Sequence, residues 1–173
     1  MDEVGSRTWL VLGGARSGKS RHAQAIAERH AGTHVFVATA QAFDGEMCDR
    51  ISRHRADRDS RWHTVEAPLA LAEAIRSADG AAVVMLVDCL TLWVSNLLLG
   101  EHDIDAATDA LVGAIAAAQA RIVFVSNEVG YGIVPDNALA RRFRDVAGIL
   151  NQRVAAVVDR VELVAAGLPL RLK

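Results

Sequence analysis

The stretch "LGGARSGKS", residues 12–20, places two glycines, a lysine and a serine at the spacing Gly-x4-Gly-Lys-Ser. The run "TWLVLGG" that leads into it is typical of a buried strand, and the residues from Gly18 to His30 are typical of a helix. A glycine-rich turn between a strand and a helix directs backbone N–H groups and the positive end of the helix dipole at one point. This order of elements predicts a phosphate-binding loop.

The side chains of this stretch have separate expected roles. Gly13 and Gly18 let the backbone turn and approach a phosphate without a Cβ in the way. Lys19 is expected to reach the β- and γ-phosphates, and Ser20 to ligate Mg²⁺. The chain uses arginine for almost every other cation and has a second lysine only at Lys173. A lysine kept at this position therefore favours a role as a compact charge between phosphates.

An acidic residue at the end of a second strand completes this pattern. Asp88 ends the apolar run "AAVVMLVD" and fits the carboxylate that holds Mg²⁺ through water. A cap of the following helix, or a turn at the strand end, is the structural alternative for the same residue. The Asn-Lys-x-Asp motif with which switch GTPases read guanine is absent from the sequence, which excludes that mechanism.

Apolar runs alternate with helical patterns along the whole chain. This alternation predicts an α/β fold in one domain over residues 1–173, with a mainly parallel sheet flanked by helices on both faces and a P-loop NTPase-like core. Ligands of such sheets bind at the carboxyl ends of the strands. Strands are predicted at 8–14, 34–40, 62–67, 81–88, 121–127, 161–167 and 169–173, and helices at 18–30, 44–58, from Pro68 onward, at 91–99, 103–120 and 137–160.

Composition narrows the classes of function. The net charge of −2 and the lack of a Lys/Arg block argue against nucleic acid as a partner. The longest apolar run, 81–87, is too short to span a membrane, and the acidic N-terminus lacks the features of a signal peptide. Cys48 and Cys89 have neither disulfide nor zinc-site spacing, so a cytoplasmic protein with reduced thiols is expected.

A charged segment follows the second predicted strand. Glu46, Arg50 and His54 are spaced i, i+4, i+8 and would share one helix face. Further arginines surround His54, at positions 53, 55, 58 and 61. From spacing alone, this cluster fits either a solvated helix face or a binding site for a triphosphate.

Several blocks in chain order resemble one family. The sequence is similar to the bifunctional adenosylcobinamide kinase / adenosylcobinamide-phosphate guanylyltransferases of adenosylcobalamin assembly. The resemblance extends from about residue 8 to residue 173. The blocks are "GGARSGKSRHA", "ATAQAFDGEM", "RISRHRADR", "WHTVEAP", "VDCLTLWVSNLL", "SNEVGYGIVP" and "RRFRDVAGILNQRVA".

The resemblance implies two reactions and their residues. A nucleoside triphosphate, ATP or GTP, phosphorylates adenosylcobinamide; GTP then transfers GMP to the new phosphate through a guanylyl-histidine, releasing pyrophosphate. His54 matches the family's histidine and is expected to be catalytic together with Lys19. Ser20 and Asp88 are expected to hold Mg²⁺, and the family assembles as a homotrimer. The positions that match guanine-nucleotide contacts are Gly13, Gly14, Ala15, Arg16, Ser17, Gly18, Lys19, Ser20, Ala38, Thr39, Ala40, Arg55, Ala56, Asp57, Arg58, Glu66 and Asp88.

Two rival functions differ in observable ways. A monofunctional P-loop kinase for a small molecule would retain no label from α-labelled GTP on the denatured protein. A nucleotide-binding regulatory protein would bind GTP without releasing pyrophosphate in the presence of any corrinoid.

The sequence leaves the roles of two further residues open. Glu128 fits either a general base or metal-shell carboxylate, or a structural cap, and the stretch around Tyr131 fits a loop near the corrinoid.

Overall fold

A computed structural model describes residues 5–41 and 60–173. Within these residues, seven strands form one sheet in the order β3-β2-β4-β5-β1-β6-β7, in which only the β6–β7 pair is antiparallel. The predicted α/β fold with a mainly parallel sheet is thus confirmed. The strands are β1 (Thr8–Gly13), β2 (Thr33–Ala38), β3 (Trp62–Glu66), β4 (Val83–Asp88), β5 (Arg121–Asn127), β6 (Arg160–Ala165) and β7 (Leu168–Arg171).

Five helices are found in the described part of the chain, and they cover both faces of the sheet. Alternate strand residues face opposite sides, so each central strand contributes to two cores. On one side Trp9 and Val11 pack under the first helix, and on the other Leu10 and Leu12 pack under the remaining four. The helices are α1 (Lys19–Glu28), α2 (Leu71–Ala78), α3 (Leu90–Leu99), α4 (Ile104–Ala117) and α5 (Ala138–Val157). Within residues 5–41 and 60–173, every helix is too short or too polar to serve as a membrane-spanning segment.

Three predicted helix boundaries were wrong by a few residues. Pro68 does not open α2, which begins at Leu71, because residues 68–70 form a turn closed by the Leu71 N–H on the Leu69 carbonyl. The helix α4 ends at Ala117, whereas its end was predicted at Ala120. The helix α5 ends at Val157, whereas its end was predicted at Arg160.

Contacts with distant parts of the chain explain where two of these helices end. The Asp79 carboxylate accepts the N–H groups of Gln119 and Ala120, which removes them from the helical pattern of α4. The last helix ends at Val157 because Arg160 already pairs with β1 as the first residue of β6. The predicted helix at 44–58 lies outside the described residues.

The carboxyl ends of the parallel strands bring the candidate residues to one edge. Gly13, Ala38, Glu66 and Asp88 are the last residues of β1, β2, β3 and β4. Ala38 is in register with both Glu66 and Asp88, and Gly13 with Asn127 at the end of β5. The parallel topology therefore collects residues that are up to 75 positions apart in the sequence (13 to 88) at one edge of the sheet.

Candidate nucleotide-binding site

The loop from Gly13 to Ser20 is a closed turn between β1 and α1. The Ser17 N–H donates to the Gly14 carbonyl at 3.3 Å, and the ammonium of Lys19 donates to the same oxygen at 3.1 Å. The backbone passes through the left-handed region at Arg16, with φ 57°, and at Gly18, with φ 94°. The N-cap residue Gly18 has no side chain, and the Ser17 Oγ accepts the N–H of Lys19, the first residue of α1, at 3.4 Å, which leaves the following N–H groups of the first turn for an anion.

Gly13 and Gly18 are required for different physical reasons. A Cβ on Gly13 would lie 2.4 Å from the Ser17 Oγ and 2.7 Å from the Val164 carbonyl oxygen, both shorter than real contacts. Gly18 needs its positive φ, and a Cβ there would also approach the Gly167 Cα to 3.3 Å. The spacing that identified the loop in the sequence thus matches steric needs in the fold.

Lys19 and Asp88 both lie close enough to the Cys89 thiol for their charges to act on it. Lys19 is buried and Asp88 half-buried, and both charges act on Cys89, the residue after Asp88. Burial raises the pKa of the Cys89 thiol to about 11, and the Asp88 charge adds to this while the Lys19 charge opposes it. The thiol is therefore neutral at physiological pH and unsuited to act as a nucleophile.

The donor chemistry at this edge fits Mg²⁺ bound together with a nucleotide. The Ser20 hydroxyl and the Asp88 carboxylate are hard oxygen ligands of the kind that Mg²⁺ prefers. Among the described residues, no group of three or more His, Cys, Asp or Glu side chains could hold a metal ion by itself. This fits a P-loop arrangement, in which phosphates and waters supply the rest of the coordination shell.

Thr39 holds the end of β2 against the end of β4. Its hydroxyl donates to the Cys89 carbonyl at 2.7 Å and accepts the Cys89 N–H at 2.8 Å, and its side chain is fully buried. One strand over, the Ala67 N–H donates to the Ala38 carbonyl at 2.8 Å. These bonds fix Ala38 between the exposed Glu66 of β3 and Asp88 of β4.

The β6–β7 turn supports the phosphate loop from the other side. The Gly167 N–H donates to the Ser17 carbonyl at 2.8 Å, and the turn uses positive φ at both Ala166 and Gly167. Sequence reasoning missed this contact. The glycine between two short strands was visible, but its docking onto Ser17, 150 residues away, follows only from the order of the strands.

A buried polar network supports the end of β5, next to β1. The Thr91 hydroxyl accepts the Asn127 N–H at 2.7 Å. The Ser126 hydroxyl donates to the Asn151 Oδ1 at 2.7 Å, and the Asn151 amide donates to the Asn127 carbonyl at 3.2 Å. The sequence signals for this network were Thr91 in the apolar helix α3, Ser126 in the apolar strand β5 and Asn151 on the buried face of α5.

Glu128 and His22 each have a hydrogen-bond partner within the fold. The Glu128 N–H donates to the Gly13 carbonyl at 3.2 Å, while its carboxylate accepts the Gly130 N–H at 2.8 Å, as a structural cap does. His22 in α1 contacts Glu162 of β6, Nε2 to Oε2, at 2.5 Å. His63 is exposed on β3. The catalytic candidate His54 and the contacts predicted at Arg55, Ala56, Asp57 and Arg58 lie outside the described residues.

Solved structures of other proteins share this fold at low sequence identity. Two solved secretion ATPases show the fold at low identity: the EscN ATPase of enteropathogenic Escherichia coli has a TM-score of 0.60 at 11% identity, covering 93% of this chain and 43% of that one. A prototypical type III secretion ATPase has a TM-score of 0.56 at 12% identity, covering 95% and 56%.

Closer relatives share most of the sequence length. The bifunctional adenosylcobalamin biosynthesis protein CobP of Pseudomonas aeruginosa is 49% identical over 95% of this chain and 96% of its own. The corresponding protein CobU of Escherichia coli is 41% identical over 95% and 98%. The family model described as cobinamide kinase / cobinamide phosphate guanyltransferase matches residues 9–172. The chain therefore belongs to this bifunctional kinase and guanylyltransferase family.

Proposed function

We propose that this chain phosphorylates adenosylcobinamide with ATP or GTP and then converts the product to adenosylcobinamide-GDP with GTP. One observation carries the proposal: the Gly13–Ser20 loop, the N-terminus of α1, Lys19 and Asp88 lie at one edge of the sheet. A triphosphate bound there would accept hydrogen bonds from backbone N–H groups and pair with the buried ammonium of Lys19. Ser20 and Asp88 offer oxygen ligands for Mg²⁺.

In the kinase step, the hydroxyl oxygen of the aminopropanol group attacks the γ-phosphorus. A new P–O bond forms, the bond to the β,γ-bridging oxygen breaks, and the hydroxyl proton is released. Lys19 leaves the Gly14 carbonyl and pairs with the β- and γ-phosphate oxygens, while N–H groups of the loop hold the same oxygens. Ser20 and Asp88 would hold Mg²⁺, which would supply neutralisation of the charge on the transferred group and the leaving group.

In the guanylyl step, an imidazole nitrogen of His54 attacks the α-phosphorus of GTP and pyrophosphate leaves. An oxygen of the corrinoid phosphate then attacks that phosphorus, the P–N bond breaks, and His54 is released. A neutral imidazole is a competent nucleophile near pH 7. This role rests on the match of His54 to the family's histidine. The arginines nearby in sequence, Arg55 and Arg58, are suited to the charge of departing pyrophosphate.

The remaining nucleotide contacts are proposed at the ends of the neighbouring strands. Ala38, Ala40 and Glu66 lie at or next to the ends of β2 and β3, and the fully buried Thr39 holds the end of β2 against that of β4 through its bonds to Cys89. Nucleoside triphosphates as donors favour the cytoplasm as the compartment.

We also propose that the protein assembles as a homotrimer. Large apolar side chains exposed on the surface support an interface with other copies. They are Leu99, Tyr131, Ile133, Val134 and Leu139.

Covalent labelling tests the two-step mechanism. Wild-type protein incubated with α-labelled GTP and Mg²⁺ should retain about one label per chain after denaturation, acid-labile and alkali-stable as for a phosphoramidate. His54→Ala should abolish the label and the formation of adenosylcobinamide-GDP, while kinase activity falls less. His63→Ala, which alters an exposed histidine, is the matched control and should label normally.

Three results would contradict parts of this proposal. Stoichiometric labelling of His54→Ala would place the nucleophile elsewhere. Product formation without any label on wild-type protein would mean direct transfer. Kinase product without adenosylcobinamide-GDP would reduce the chain to the monofunctional kinase.

A further inference from the structure

Asn96, buried in the middle of α3, donates hydrogen bonds to two different loops at the site edge. Its Nδ2 lies 2.8 Å from the Thr39 carbonyl oxygen and 2.9 Å from the Pro68 carbonyl oxygen. Thr39 is the first residue after β2, and Pro68 is the second after β3. Its side chain therefore joins the loops that follow these two strands.

Both N–H groups of the carboxamide are used in this bridge. A primary amide has two donors, and here each serves a separate backbone carbonyl in a buried environment. Loss of the amide would leave these carbonyls without this donor, which is costly in the interior. Trp93, one helical turn earlier on the same face, donates its indole N–H to the Leu69 carbonyl at 2.8 Å. The α3 helix thus holds the loop after β3 at two successive carbonyls.

The loops that Asn96 joins are distant from the phosphate loop. The sheet order places β2 three strands from β1, which is about 14 Å at the usual spacing of about 4.8 Å between strands. A phosphate held by the Gly13–Ser20 loop lies beyond direct reach of Ala38 or Glu66. Contacts at the ends of β2 and β3 are therefore available to the nucleoside monophosphate part of the substrate.

We propose that Asn96 is a positioning residue for the nucleoside monophosphate half of the guanine-nucleotide site. The proposal rests on the proposed function, which assigns Ala38, Ala40 and Glu66 to nucleotide binding. By setting the separation of the loops after β2 and β3, Asn96 fixes these contacts relative to Asp88, to which Thr39 is joined through its N–H at 3.4 Å from the Asp88 carbonyl.

Asn151 provides a matched control on the other side of the site. It is as buried as Asn96, each with 6% of its surface exposed, and it also makes two hydrogen bonds. Its partners Ser126 and Asn127 are the last two residues of β5, which pairs with β1, the strand that leads into the phosphate loop. A general loss of packing should affect variants at both positions alike, whereas a positioning role should separate them.

The experiment compares two ligands that divide the site. Calorimetry on the purified full chain measures the Kd of GMP, which needs the nucleoside contacts, and of inorganic tripolyphosphate, which needs the phosphate loop. Asn96→Ser, which keeps one donor, should raise the Kd for GMP about tenfold and leave that for tripolyphosphate within about threefold, as expected for one misplaced hydrogen-bonded loop. Asn96→Asp should weaken GMP further, because a carboxylate oxygen replaces the donor opposite two carbonyls.

The ratio of the two affinities decides the outcome. The Asn151→Ser control should change both Kd values by similar factors or weaken tripolyphosphate more. Equal weakening of both ligands in Asn96→Ser, or unchanged GMP binding, would overturn the proposal. If Asn96→Asp does not fold, the measurement on Asn96→Ser stands alone. Covalent labelling of wild-type protein tests the proposed function separately, so its failure is distinguishable from failure at Asn96.

Discussion

Gly13→Ala tests whether the phosphate loop is held by close backbone contact. The new Cβ would lie 2.7 Å from the Val164 carbonyl oxygen, which belongs to β6 and is in register with Gly13. It would also lie 2.4 Å from the Ser17 Oγ, a side chain that can rotate. A backbone contact of this kind is relieved only by moving a strand, so we expect a loss of about 2 kcal/mol in unfolding free energy, within the range for overpacking.

The adjacent glycine offers a control in the same loop. A Cβ on Gly14 would meet no described atom within 4 Å, so Gly14→Ala should leave the unfolding free energy unchanged or slightly raised. Urea unfolding measures both variants, and thermal unfolding should show Gly13→Ala lower by about 4–8 °C.

A second substitution separates the two clashes at Gly13. Ser17→Ala added to Gly13→Ala should restore only part of the stability, because the Val164 oxygen remains at 2.7 Å and the Ser17 Cβ at 3.2 Å. Equal stability of Gly13→Ala and Gly14→Ala, or complete rescue by Ser17→Ala, would refute the steric reasoning.

Three further predictions concern charges at the site. Lys19→Ala should weaken MgGTP binding by at least about tenfold and slow both reactions, measured by calorimetry and product mass analysis, since one charge-assisted contact is lost; unchanged rates would remove the loop from the mechanism. Asp88→Asn should fold normally and require more Mg²⁺ for half-maximal rate, and an unaltered Mg²⁺ titration would make Asp88 only structural. In a Cys48→Ser background the unfolded Cys89 thiol ionises near its ordinary value of 9.0 and the folded one near 11. The free energy of unfolding should then fall above pH 9 by up to about 1.4 kcal/mol per pH unit. Adding Cys89→Ala to the Cys48→Ser protein should abolish this pH dependence.

The parts of the fold that were predictable are those with local signals. Continuous apolar runs predicted the central strands β1, β2, β4 and β5, since a parallel sheet covered on both faces leaves no polar side along a strand. Helix ends were harder, because they depend on distant groups. Asp79 ends α4 by binding the N–H groups of Gln119 and Ala120 from 40 residues away. A sequence pattern contains no information about such a cap.

The same distinction applies to the candidate site. Lys19, Ser20 and Asp88 were predictable because a phosphate loop and a strand-end carboxylate have fixed local contexts. Asn96 and Gly167 were not, because their partners Thr39, Pro68 and Ser17 come close only through the strand order. The residues proposed to touch the ligand thus have a local pattern in the sequence, whereas those that hold them in place depend on the topology.

The strand order also explains how one edge can serve two reactions. The phosphate loop follows β1, while Ala38 and Glu66 end β2 and β3 on the far side of β4 and β5. Asp88 ends β4 between these two groups. Kinase chemistry acts on the terminal phosphate and guanylyl transfer on the α-phosphate, so the two bonds that break lie at different distances from the loop. In the proposed mechanism, the same polyphosphate contacts at the phosphate loop serve both reactions, Asp88 lies between the two halves of the site, and the loops joined by Asn96 hold the contacts for the nucleoside.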